Sequence, residues 1–188
     1  METSAALAGR SIGAGFFTTF GALWLLNWAV PVHGTKSPAV ALIVVAALIL
    51  LTMCVRMYRR HRAALAVVDQ TPQRRRTRRV FHIVNALQWV ALLVIVNVLA
   101  NIGMARWVVP AAVLIVGLHM FPLAAVFHYR PHHVTGAALV LLALAYPLLS
   151  PDGPGGLSCC LYAGLILWLS AAWALVQPWM PARSLSTK

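Results

Sequence analysis

Carboxylates are nearly absent from this chain. Its 188 residues include three acids (Glu2, Asp69 and Asp152) against fifteen Lys and Arg residues, so the formal net charge is +12. Charged residues make up only 10% of the chain, whereas a soluble domain carries roughly 25%. A compact water-soluble fold would have too little polar surface and would suffer charge repulsion. A membrane accommodates both properties, because lipid tolerates the apolar bulk and anionic headgroups attract arginine.

The chain also lacks the patterns on which common catalytic and metal sites depend. Its cysteines, Cys54, Cys159 and Cys160, form no C-x-x-C pair, so we interpret them as apolar packing residues. No GxSxG, HExxH, P-loop or Rossmann glycine pattern occurs. The apolar segments contain no Asp or Glu, which disfavours ion coupling through carboxylates. The sequence therefore predicts no catalytic residue, no metal site and no cofactor.

Six apolar segments account for most of the chain. A helix needs about 20 residues to cross a hydrocarbon core about 30 Å thick, and all but the fifth segment meet that length comfortably. We predict an all-α, polytopic transmembrane bundle of six helices in a single domain, residues 1–188. The predicted spans are 12–32, 39–58, 80–103, 107–127, 134–149 and 157–176, with a basic loop at 59–79.

The basic residues indicate the orientation of these spans. Only Lys36 and Arg106 fall on one side of the predicted bundle. The other thirteen fall on the opposite side: Arg10, nine Arg from Arg56 to Arg79, Arg130, Arg183 and Lys188. Cytoplasmic segments of membrane proteins carry the excess of Lys and Arg. The sequence therefore predicts that both termini and the basic loop lie in the cytoplasm.

Polar side chains inside the spans are the candidates for a functional site, because placing them in lipid is costly. We predict an inner and an outer polar layer. The inner layer comprises Asn85, Gln88 and His119, and the outer layer comprises Asn27, Asn97 and Asn101. In helical projection the third span carries its two polar sets on different sides, so we expect neighbouring helices all round it. The amides either bond the helices together or line a path for a small solute or a lipid headgroup.

His119 lies in the segment Gly117-Leu-His-Met-Phe-Pro122. Pro122 cannot donate a hydrogen bond to the carbonyl of Leu118, so a kink at Pro122 would leave a free carbonyl beside the imidazole. The simpler alternative is that Pro122 only bends the helix and His119 bonds a neighbouring span. Pro147 has the same effect near Tyr146, which we add to the candidates for the path.

Five arginines directly precede the third span: Arg74, Arg75, Arg76, Arg78 and Arg79. By pattern alone such a run resembles a nucleic-acid patch. Because it stands at the start of a span, anchoring and binding of anionic lipid headgroups at the cytoplasmic face is the simpler role. We predict no nucleic-acid partner. A second cluster falls on the same predicted side and comprises His128, Arg130, His132 and His133. A metal or phosphate site is one interpretation, but no acid or cysteine joins the cluster, so we interpret these histidines as solvated interfacial residues.

Small residues at four-residue spacing predict close helix approach. The pairs are Gly9-x-x-x-Gly13 and Cys160-x-x-x-Gly164. Such pairs let two helix backbones come together in lipid, within one bundle or between copies of the chain. A homo-oligomer is therefore compatible with the sequence.

The stretch Ile115-Val-Gly-Leu-His-Met-Phe-Pro-Leu-Ala124, followed by Val134-Thr-Gly136, resembles a family of uncharacterised bacterial inner-membrane proteins with six spans. That family carries a comparable Gly-x-His-Phe-x-Pro-Leu run. The resemblance implies a bacterial inner membrane and draws attention to His119 and Pro122, but it implies no activity.

Two functional hypotheses follow from these observations. The first is a small membrane protein that transports or binds a small solute or ion through an intramembrane polar path. The alternative is a non-catalytic scaffold or lipid-interacting protein whose polar residues only pack helices. An enzyme with His119 as a base is the least supported.

Overall fold

The computed structural model describes residues 4–68 and 72–176. Its α-helices are α1 Ser4–His33, α2 Pro38–Val68, α3 Pro72–Asn101, α4 Val108–Phe127, α5 Pro131–Leu149 and α6 Ser158–Val176. Within these ranges there is no β-strand. All six helices are long and apolar enough to cross a membrane. The predicted all-α class and the six spans are confirmed.

The second and third helices are longer than their predicted spans. α2 has 31 residues and α3 has 30, so each is about 45 Å long at 1.5 Å per residue, well beyond a hydrocarbon core of about 30 Å. Residues 59–68, expected in a loop, continue α2 because Arg, Ala and Leu are strong helix formers. Residues 72–79 open α3, with Pro72 in the first turn, where proline is favoured.

The helices pack in the order α2, α1, α6, α5, α4, α3, and each mainly contacts its neighbours in that order. α3 packs chiefly on α4, and its Trp89 ring lies 6.3 Å from the ring of Phe20 on α1. α3 is therefore at the edge of the bundle, and the expectation that it has neighbours all round is wrong.

Glycine pairs mark the two closest helix crossings. At the crossing of α1 and α6, a Cβ on Gly164 would lie 2.9 Å from the carbonyl oxygen of Gly21. At the crossing of α4 and α5, a Cβ on Gly136 would lie 2.9 Å from the carbonyl oxygen of Gly117. The predicted close approach at Gly164 is confirmed. A Cβ on Gly9 or Gly13 would meet no atom of this chain within 4 Å.

The beginning and the end of the described chain meet at one face of the bundle. Arg10, near the start of α1, donates a hydrogen bond from Nη2 to the carbonyl oxygen of Ala174, near the end of α6, at 3.1 Å. We call this face the basic end. It also includes the end of α2, the start of α3 and the α4–α5 turn. The opposite end includes Lys36 and Arg106. Which end faces the cytoplasm stays a prediction.

Candidate functional sites of the bundle

The outer-layer asparagines lie on exposed helix faces. Each side-chain Nδ2 donates to the carbonyl oxygen four residues earlier in its own helix. The distances are 3.0 Å from Asn27 to Leu23, 2.7 Å from Asn97 to Leu93 and 2.8 Å from Asn101 to Asn97. No hydrogen bond joins any of the three to another helix in the described ranges. The structure therefore does not bring the outer layer together.

The inner-layer residues are less exposed than the outer-layer asparagines. His119 on α4 is buried, and Asn85 and Gln88 on α3 are half-buried. The face of α3 that packs towards α4 repeats at three- or four-residue intervals and comprises Phe81, Val84, Gln88, Leu92, Ile95 and Leu99. Gln88 thus lies on the half-buried side of α3. Nevertheless, no hydrogen bond links His119 to Asn85, to Gln88 or to any other residue that the structure describes.

The remaining predicted positions lie apart from this layer. Pro122 is exposed within α4, which continues through it to Phe127, so the predicted kink stays a prediction. Tyr146 is buried near the end of α5 that faces away from the basic end. Its hydroxyl packs against Gly156 and has no hydrogen-bond partner among the described residues. Tyr146 and His119 therefore do not share one site.

The polar contacts that do cross between helices are made by other residues. Trp168 Nε1 on α6 donates to the carbonyl oxygen of Thr18 on α1 at 3.0 Å. The hydroxyls of Thr135 on α5 and Ser170 on α6 lie 2.8 Å apart. One feature of the sequence points to this role of Trp168. It lies deep in its span, whereas tryptophan usually lies at the membrane surface.

A cluster at the basic end was also missed. Arg10 is only 9% exposed, and its guanidinium carbon lies 5.2 Å from the ring centre of Tyr129, a cation–π distance. The His132 ring stands edge-on to those of Tyr129 and Phe17, at 4.9 and 5.5 Å. Arg10 caps the last carbonyls of α6, a favourable site for a cation. His132 is therefore half-buried rather than solvated.

The predicted lipid-binding arginines gather at the start of α3. Arg75, Arg78 and Arg79 line a shallow, open groove with His82 and Ile83. Arg76 is exposed beside them, and the side chain of Arg74 lies outside the described part of the chain. A helix N-terminus itself carries a partial positive charge, so clustered guanidinium groups there are mutually unfavourable without an anion.

No carboxylate of the described chain neutralises this groove. Asp152 is the one acid within residues 4–68 and 72–176, and it lies in the connection between α5 and α6 at the opposite end. Glu2 and Asp69 lie outside the described residues. Even with both acids included, the arginines at the basic end greatly outnumber the carboxylates, so their counter-ions must come mainly from outside the chain.

Comparisons of this chain with protein families, with curated proteins and with solved structures give no match. The resemblance around Gly117–Ala124 therefore stays a prediction.

Proposed function

We propose that this multi-pass membrane protein is non-catalytic and binds anionic lipid headgroups at its basic end, which faces the cytoplasm of a bacterial inner membrane. The observation that carries the proposal is the groove on α3. Three guanidinium groups and an imidazole line it together with the apolar side chain of Ile83, at the level where a span leaves the hydrocarbon. A lipid phosphate would meet the charged groups at this level.

The charge balance supports the same proposal. Each Lys or Arg near an anionic membrane surface contributes about 1 kcal/mol to the attraction, and guanidinium groups bind phosphate with paired hydrogen bonds. The extensions of α2 and α3 hold arginines at this surface on rigid helices. Bound phosphates would also relieve the repulsion among the guanidinium groups.

Two triple variants test whether the groove on α3 is a site or merely part of a charged surface. R75Q/R78Q/R79Q removes the groove, and R59Q/R60Q/R62Q removes the same charge from exposed positions on α2. The protein is reconstituted into nanodiscs of phosphatidylcholine with or without phosphatidylglycerol, and the midpoint of thermal unfolding is measured. Phosphatidylglycerol should stabilise the unmodified chain.

We expect R75Q/R78Q/R79Q to lose most of that stabilisation and R59Q/R60Q/R62Q to keep most of it. Equal losses would show that stabilisation by anionic lipid depends only on the total charge of the protein and that the groove has no special role. If phosphatidylglycerol does not stabilise the unmodified chain at all, the proposal is wrong.

Binding of a small solute or ion is the second candidate function, and His119 favours it. A polar imidazole within a span is costly unless it has a partner. His119 is 8% exposed, and no hydrogen bond joins it to the described residues. A solute that accepts or donates one hydrogen bond at His119 would remove this cost. Gln88 and Asn85, on the neighbouring helix, are the side chains that would share such a solute.

The test uses His119→Ala with His133→Ala as a matched control, because His133 is exposed and belongs to α5. Thermal unfolding is measured with potassium, magnesium, inorganic phosphate, glycine and choline as probes. At least one probe should raise the midpoint of the unmodified protein and of His133→Ala but not of His119→Ala. Probes that act equally on all three proteins, or on none, would exclude this candidate within the set of solutes used.

A further inference from the structure

The face of α3 that points away from the bundle is not uniformly apolar. Between Ile83 and Asn101 it exposes large aliphatic side chains, of which Val90 is 56% and Leu93 63% exposed. The same face also exposes the amides of Asn97 and Asn101. A helix face that only contacts lipid has no need of these groups, because polar side chains in the hydrocarbon are costly and normally face protein or water.

Most residues from Ile83 to Asn101 are exposed. Along the middle of this exposed face, two rows have the heptad spacing of a two-helix seam, with alternating intervals of three and four residues. Ile83, Val90 and Asn97 are seven residues apart and form one row. Ala86, Leu93 and Ala100 form the second row, and all six residues are exposed. With the first row as position a and the second as position d, Ile83 and Val90 supply β-branched side chains at a, and Leu93 stands at d between two alanines. β-Branched residues at a and leucine at d favour a parallel pair, and one asparagine at a fixes its register, while alanine allows close approach of the helix backbones.

The hydrogen bonds of Asn97 leave it able to pair with an identical residue. Its Nδ2 uses one N–H in the bond to the carbonyl oxygen of Leu93. A primary amide has a second N–H and an acceptor oxygen, and both lie on the exposed face. In a symmetric parallel pair, residues at position a face their own counterparts across the axis. Each amide could then donate to the other.

We propose that α3 is the interface of a parallel homodimer, in which the seam of Ile83, Ala86, Val90, Leu93, Asn97 and Ala100 packs against the same seam of a second copy. A second copy fits better than lipid, because acyl chains offer no partner to the amides. It also fits better than an unrelated helix, because the heptad spacing and the asparagine are self-complementary. The seam from Ile83 to Ala100 is about 26 Å long, close to the thickness of the hydrocarbon core.

Repulsion between like charges opposes dimer formation at the basic end. Arg79 continues the seam by one step beyond Ile83, so the two copies would bring like charges together there. Anionic headgroups can separate them, as they do elsewhere on this surface. The dimer does not depend on the groove being a specific lipid site, because any anionic lipid would serve.

Disulfide mapping in vesicles tests the geometry. Val90→Cys and Leu93→Cys place a thiol on the seam, and Val98→Cys places one on an exposed position of α3 beside it. The natural cysteines are buried, and the amount of covalent dimer formed by the unmodified chain measures their contribution. In phosphatidylcholine–phosphatidylglycerol vesicles under mild oxidation, the two seam variants should form covalent dimers several-fold faster than Val98→Cys. Equal rates at the three positions would overturn the proposal.

Energy transfer between labelled copies tests the role of Asn97. Asn97→Val repeats the side chain found at Val90 and removes only the amide. The control, Asn27→Val, removes an exposed amide with the same bond to its own helix on α1. One interhelical hydrogen bond in a membrane changes affinity by about 3- to 20-fold, and the symmetric pair loses two of them. Asn97→Val should therefore raise the dissociation constant by about tenfold or more, and Asn27→Val should leave it unchanged. A chain that shows no self-association, or an Asn97→Val variant that associates as tightly as the unmodified chain, would refute the dimer.

Discussion

Two pairs of helices differ in how much of their surface is buried in the bundle, although all four are able to cross a membrane. The inner pair is α4 and α6, and the outer pair is α2 and α3. In the most apolar part of each helix, 44% of residues are buried in α6 and 39% in α4, against 17% in α2 and 6% in α3. Mean hydropathy does not follow this order, because α2 is the most apolar of the six, at 2.8, and α6 reaches only 2.0. Hydropathy thus identifies the spans without indicating which of them lie inside.

The residues that distinguish the two regions are small ones. The buried face of α6 includes Cys159, Cys160, Ala163, Gly164, Ala171 and Ala174. The outer faces of α2 and α3 carry Leu, Ile and Val instead. In lipid there is no hydrophobic force to bring helices together, so close backbone contact and interhelical hydrogen bonds decide which helices associate. Small residues permit that contact.

The largest expected effect is at the crossing of α1 and α6. Gly164→Val would place a Cβ 2.9 Å from the carbonyl oxygen of Gly21 and against the side chain of Leu25. Because backbone atoms cannot yield as a flexible side chain can, the helices must separate. We expect the free energy of unfolding in mixed micelles to fall by about 3 kcal/mol, the upper part of the usual range for overpacking.

The matched control is Gly13→Val, on the open side of α1, where a Cβ meets no atom of this chain within 4 Å. Its free energy of unfolding should change by no more than about 0.5 kcal/mol, since only helix propensity is altered. If the two substitutions lower the free energy of unfolding equally, glycine would affect the stability of this bundle only through helix propensity. The distinction between packed and open helix faces would then be wrong.

The six spans could be predicted because length and apolarity alone decide whether a helix can cross lipid. Their order in the bundle could not. Helical projection correctly separates Gln88 from Asn97 on α3, but either face could have pointed inwards. The contact with α4, made by Phe81 on Phe127 at 5.7 Å, selects the side of Gln88. That contact depends on the whole bundle and has no local signal.

Arg10 shows a second limit of sequence reasoning. As a basic residue near the start of a span it indicates topology, and a solvated position would satisfy that role equally well. In the structure it caps α6 and covers the ring of Tyr129. Its partners lie more than one hundred positions away in the chain, so only the folded arrangement reveals that this charge also holds helices together.

The smallest of these predicted effects compares two tryptophans. Trp168→Phe removes the hydrogen bond from Nε1 to the carbonyl oxygen of Thr18 and part of the ring that packs on Gly21. An interhelical hydrogen bond in a membrane contributes about 0.6 kcal/mol on average, so with the lost contact we expect a decrease in unfolding free energy of about 1 kcal/mol. Trp89→Phe, on the outer helix α3, changes the same atoms at a half-exposed position and should have almost no effect. Equal effects would mean that the loss at Trp168 does not come from its hydrogen bond to Thr18 or its packing on Gly21, and the distinction between inner and outer helices would not extend to these indoles.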